Sequence, residues 1–160
     1  MSIFRLGLIG AAVGVFIIIA GIVIFNLERA SRRQPLEIAV PESANFLVRE
    51  ELFGSGQRLY YQTSDNPESV AAFYTRLMQE FYNDDSQGCV RLPPGSDTVN
   101  SNYSEGNGVV PFEYRCFFDN SSTDITQHTE ILIQPGVRND QTGEDFTGTT
   151  RIEHEQYWEP

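Results

Sequence analysis

The chain has 160 residues and a formal charge of −11, from 22 acidic against 11 basic residues, and it carries two cysteines. A balance this acidic repels nucleic acid and anionic lipid, which excludes binding to either by charge. An apolar N-terminal stretch takes about 25 residues, and the roughly 120 that remain beyond a short linker suffice for one domain with a real core.

From Leu6 to Phe25 the chain reads LGLIGAAVGVFIIIAGIVIF, without a charged residue. At 1.5 Å per residue this makes about 30 Å of helix, the thickness of a bilayer's hydrocarbon core. The run is longer than a signal-peptide h-region and no small-x-small cleavage site follows it, which predicts an uncleaved anchor over residues 1–25. Gly7, Gly10, Gly14 and Gly21 fall within a sector about 60° wide on such a helix. Gly10 and Gly14 form a GxxxG pair, and the stripe predicts a packing face for a neighbouring transmembrane helix. Phe16, Ile19 and Val23 lie on the side suited to lipid. With no ionisable or amide side chain between Leu6 and Phe25, the span has no group to carry protons, ions or electrons.

Residues 26–41 contain Pro35 and Pro41 and read as a juxtamembrane linker, with Arg29, Arg32 and Arg33 placed to meet lipid headgroups. By the charge rule these arginines put the C-terminal domain in the cytoplasm. Cysteine usage opposes this: Cys89 and Cys116, an even pair in a small Asn/Gly/Ser/Thr-rich domain, suit a disulfide made in an oxidising compartment. Long domains are exported despite flanking charge, so the extracytoplasmic, periplasmic side of the inner membrane is the expectation. Plain burial of Cys116 beside Val110, Phe112, Tyr114 and Phe118 is the alternative to a bridge.

Residues 42–160 form the folded domain. Phe46 to Phe53 and Gln57 to Thr63 read as strands joined by Gly54-Ser55-Gly56, a hairpin signal. Asp65-Asn66-Pro67-Glu68 opens a helix that runs to about Tyr82, with Val70, Phe73, Tyr74, Leu77 and Phe81 in an apolar stripe about 100° wide. Further strands are expected at Cys89 to Leu92, Val110 to Phe118, Ile125 to Gln134 and Thr149 to Trp158. The order ββαββββ predicts an α+β fold, an antiparallel sheet of five or six strands covered by one helix. Pro93 to Gly108 and Gly136 to Gly148 are long loops suited to contacting a partner.

Chemistry is sparse. His128 and His154 lie in no metal-binding spacing, so no metal is expected. His154, in Arg-Ile-Glu-His-Glu, reads as part of a solvated strand face rather than a general base. Haem, Walker, dinucleotide and nucleophile-elbow motifs are absent, and no cofactor is expected. Asn139 to Asp145 offers oxygen ligands without the spacing of an EF-hand, and reads as an acidic loop. Asn102-Tyr103-Ser104 and Asn120-Ser121-Ser122 match the glycosylation sequon.

The run Leu59-Tyr60-Tyr61-Gln62-Thr63-Ser64-Asp65-Asn66-Pro67-Glu68-Ser69-Val70-Ala71-Ala72-Phe73-Tyr74 resembles a pattern of membrane-anchored or lipid-anchored extracytoplasmic proteins of filamentous anoxygenic phototrophs. There, a strand ending in Thr-x-Asp precedes a helix with Val-x-x-Phe-Tyr. The resemblance implies a location outside the cytoplasm. The chain looks like an accessory subunit of a respiratory or photosynthetic electron-transport assembly such as alternative complex III. It lacks the haem and iron–sulfur motifs of that assembly's redox subunits, so the implied role is structural.

The resulting expectation is a non-catalytic accessory subunit whose partners are other integral membrane subunits and the lipid bilayer. A freestanding sensor or ligand-binding module is the alternative, marked by a concave apolar pocket. A hydrolase would require His154 in a cleft beside a serine or an acid.

Overall fold

The computed structural model describes residues 3–93, 110–138 and 145–159, with side chains described from Val13 onward. Helix α1 (Ile3–Ser31) has 29 residues. Among the described residues it is the one helix long and apolar enough to cross a membrane. Its apolar side chains stand clear of the rest of the chain, Phe16 at 73% exposure and Leu27 at 66%. The helix continues past the apolar run through the first residues expected in the linker. Asn26 Nδ2 donates to the Ile22 carbonyl at 2.8 Å, and Arg32 pairs with Glu28 one turn back at 2.9 Å.

The folded part is α+β. Its strands are β1 (Asn45–Leu52), β2 (Gly56–Thr63), β3 (Val90–Leu92), β4 (Glu113–Asp119), β5 (Gln127–Pro135) and β6 (Thr150–Trp158), and helix α2 (Pro67–Tyr82) lies between β2 and β3. They form one six-stranded sheet of order β1-β2-β6-β5-β4-β3, with every neighbouring pair antiparallel. The C-terminal strand β6 is therefore central, inserted between the first hairpin and β5. The hairpin closes through Gly54, whose φ of 92° favours a residue without Cβ. Strand β4 starts at Glu113, three residues later than its alternation suggested, and Phe112 lies just outside it beneath the Arg91 guanidinium, 4.3 Å from the ring centroid.

Helix α2 starts as its sequence predicts. The Asn66 side chain accepts from the Ser69 amide at 2.7 Å, Pro67 opens the first turn, and Asn83 closes the helix in the left-handed region. It packs on β4 and β5. Val70, Ala71, Tyr74 and Met78 face Cys116, Phe118, Ile131, Ile133 and Ile152 in the core. The apolar stripe is rotated from the expected one: Phe81 is 39% exposed, and Ala71 and Met78 are buried in its place. Tyr82 packs against the core at that end of the helix. Its hydroxyl receives the Asp119 amide at 2.6 Å and donates to the Phe117 carbonyl at 3.1 Å, which leaves Phe81 on the flank against Phe118.

Cys89 and Cys116 are joined in a disulfide that closes a 27-residue separation. It ties the short edge strand β3 to β4 under α2, where the Cys89 amide also donates to Thr75 Oγ1 at 3.1 Å.

Candidate functional site

On the helix-covered face of the sheet, alternation places polar side chains at core positions near one end. Gln127, Thr129 and Gln156 are all buried, at 3%, 0% and 2% exposure. A buried amide or hydroxyl costs stability unless it is hydrogen-bonded. The partner here is the backbone of residues 31–36, a strap that turns out of α1 at Arg32 and Arg33 and crosses the sheet over β5 and β6. Gln127 Nε2 donates to the carbonyls of Ser31 at 3.2 Å and Gln34 at 2.8 Å. Thr129 Oγ1 and Gln156 Nε2 both donate to the Leu36 carbonyl, at 2.7 and 2.8 Å. Leu36 and Ile38 pack against the core, and Pro41 is buried. The segment expected as a linker is thus helical up to Ser31, and beyond it is held to the domain through Leu36, Ile38 and Pro41.

The same junction holds Arg32. Its guanidinium pairs with Glu28 and donates to the Asn120 carbonyl in the β4–β5 turn. Arg29 and Arg33 stay exposed. Phe25, Glu28, Arg29 and Arg32 share an open cleft of about 200 Å³ with Ser122, Thr123, Asp124 and Ile125. The Asn120 side chain donates to Gln127 Oε1 at 2.6 Å, so the amide of this sequon is engaged within the fold.

The face of the sheet away from α2 carries a layer of charges. Arg58 on β2 pairs with Glu155 at 2.7 Å and Glu153 at 3.3 Å, both on β6, and Arg115 on β4 pairs with Glu130 on β5 at 2.6 Å. Tyr60 donates to Glu50 at 3.1 Å, Tyr157 donates to Glu155, and Gln134 donates to the buried Glu113 at 3.0 Å. Glu130 and Glu155 stand directly opposite each other across strands, a like-charge pair flanked by the two arginines. Burial pushes the Glu153 carboxyl up to about 7 against the pull of Arg58, and burial also raises Glu113. A carboxyl that holds a proton near neutrality can act as an acid or base. The space it shares with Leu47, Tyr60 and Leu132 is about 20 Å³, room for one water with which the group can exchange protons.

His154 corrects the expectation of a solvated strand face. It is 1% exposed, its Nε2 is 2.8 Å from the Tyr74 hydroxyl, and its ring packs on Tyr61 and Tyr74. The reason is that β6 is central, paired with β2 on one side and β5 on the other, so alternation sends Glu153 and Glu155 to the charged layer and His154 into the core beneath α2's Tyr74. Burial holds the His154 imidazole neutral, down to about 3, and raises the Tyr74 phenol above its ordinary value.

These two buried neighbours oppose each other with pH. Stability from His154 is present above its unfolded value of 6.5 and is lost as pH falls toward 3. Stability from Glu153 is full below its unfolded value of 4.5 and is lost as pH rises through about 7. Glu153→Gln should therefore gain on the wild type by about 2 kcal/mol between acid and neutral pH in urea titrations. A difference that stays constant across that window would refute the assignment.

Of the residues singled out in the sequence, Cys89 and Cys116 are bonded, and Arg32 joins the junction. Gly7 and Gly10 lie outside the described side chains. A Cβ added at Gly14 or Gly21 would meet nothing within 4 Å, so none of the described residues covers either notch. The sequon at Asn102 and most of the acidic loop from Asn139 fall outside the described residues. Among the described residues no group of three or more His, Cys, Asp or Glu is placed to hold a metal ion. The strap-binding residues Gln127, Thr129 and Gln156 were not found from sequence; their only signal is polar identity at inward-facing strand positions. Comparison with protein-family models, curated proteins and solved structures finds no match for the chain.

Proposed function

We propose that this chain is a membrane-anchored, non-catalytic accessory subunit that braces a larger membrane complex from its extracytoplasmic side. The observation that carries the reading is the strap: residues 31–36 are hydrogen-bonded into the sheet, so α1 and the domain meet without a free tether. A rigid joint transmits position from a packed helix to an outer domain, which a brace requires and a tethered sensor does not. The open notches at Gly14 and Gly21 supply a face where a second helix gains close van der Waals contact. The disulfide supports the oxidising side of the membrane. The resemblance of residues 59–74 favours a location outside the cytoplasm, and the chain's likeness to single-pass accessory subunits favours a complex of respiratory or photosynthetic electron transport, of the alternative complex III kind, with a structural role within it.

Replacing Gly14 with Leu fills the notch with a branched side chain and should weaken retention of partner subunits on gentle detergent extraction by about tenfold. Undiminished recovery of the same partners would count against the brace. A sensor or ligand-binding role is the second reading, and the open cleft of about 410 Å³ between Pro41, Ser43, Asp65, Ser69 and Phe73 is the feature that favours it.

A further inference from the structure

The strand registers place Leu52, Gly56, Tyr157, His128 and Asp119 in one row across the sheet. Beyond this row lie the β1–β2 hairpin tip, the β4–β5 turn and the C-terminal residues, with Trp158 N donating to Ser55 O at 3.0 Å. Helix α1 joins the domain at this same end, through Gln127 to Ser31 and Gln34 and through Arg32 to Asn120. The β4–β5 turn also shares a cleft with Phe25, the last residue of the apolar run. From Phe25 to Ser31 is about 9 Å of helix. The headgroup layer on each side of the hydrocarbon core is roughly 5–8 Å thick. If α1 spans the bilayer, as the reading above holds, this end of the sheet lies against the headgroups.

Phe53 occupies the hairpin tip at this end and is exposed at 110%. Leu52 to Gln57 carries no charge, which suits contact with a neutral lipid surface in a chain of net charge −11. Three strand spacings, about 14 Å, separate β1 from β5 where the strap is held. The tip is therefore a contact point to one side of the helix. We propose that Phe53 inserts its ring into the interfacial zone of the bilayer that α1 spans, and that this second contact sets the tilt of the domain on the membrane. An exposed apolar ring gains by leaving water for that zone, and the occupant is lipid, since the surface that α1 itself enters is the one facing the tip.

The test uses the full chain in phosphatidylcholine vesicles whose acyl chains are brominated near the headgroup. In a Trp158→Phe background, Phe53→Trp places the single fluorophore at the tip, and Ile18→Trp places it in α1 in a second protein. We expect bromolipid to quench the tip probe about twofold, with a blue-shifted emission, and to quench the α1 probe as well. Quenching of the α1 probe with a solvent-like, unquenched tip probe overturns the proposal and leaves the anchor standing. Absence of quenching at both sites overturns the anchor reading and the proposal with it.

Discussion

A Cys89→Ala, Cys116→Ala double variant is expected to lose about 3.5 kcal/mol of stability. The figure follows from the chain entropy that a bridge over a 27-residue separation removes from the unfolded state. For a domain of this size the melting temperature should fall by roughly 10 °C or more. Cys116 sits in the core at 1% exposure, so alanine also leaves a small void beneath Ala71 and Ile131. Thermal melts of the wild type with and without reductant, set beside the variant, check this. If reductant leaves the wild-type transition unmoved while free-thiol labelling shows full reduction, the bridge contributes nothing and the oxidising-compartment argument weakens with it. The local consequence should be largest at β3, which pairs over only three residues and has β4 as its single neighbour.

The second large effect is expected at the strap. Thr129→Val with Gln156→Leu removes both donors to the Leu36 carbonyl and leaves that acceptor without them against the core. Two lost hydrogen bonds and one stranded carbonyl amount to about 3 kcal/mol, spent mainly on local opening of residues 31–41. Trypsin reads the opening directly, because Arg32 and Arg33 lie within the strap. The wild type should resist cleavage there, since Gln127 holds the Ser31 and Gln34 carbonyls on either side of both arginines and Arg32 is held by Glu28 and Asn120. The variant should be cut and release the folded domain from α1. Equal cleavage rates in the two proteins would show that the joint is loose, and the brace would lose its main support.

Local signals made much of this fold legible. Asn66-Pro67-Glu68 and the stripe from Val70 define α2, and Gly54-Ser55-Gly56 defines the first hairpin, because each is decided by residues a few positions apart. The strap was not legible. Gln34 to Val40 shows neither a period of 2 nor of 3.6, and its hydrogen bonds reach residues 93 and 120 positions away. Its partners share a strand face with apolar residues, as Thr129 does with Ile131 and Ile133, but a Gln or Thr there carries no mark of an acceptor waiting elsewhere in the chain. His154 was misread for a related reason. Charged neighbours at Glu153 and Glu155 mimic an exposed edge strand, whereas β6 is central and its acids are neutralised in part by Arg58. The order of strands in a sheet is a non-local property, and the burial of every alternate residue depends on it.

Strands β5 and β6 have nine residues each, which makes them about 30 Å long. Their Gln127–Trp158 end meets α1, and the connections from β5 to β6 and from β3 to β4 depart from the opposite end. If α1 spans the bilayer, as proposed above, the strand ends at Glu113, Pro135 and Thr150 stand up to that length from the lipid surface. Whatever docks on them must reach that far, so a protein that barely rises above the lipid surface is too short to be the one that does.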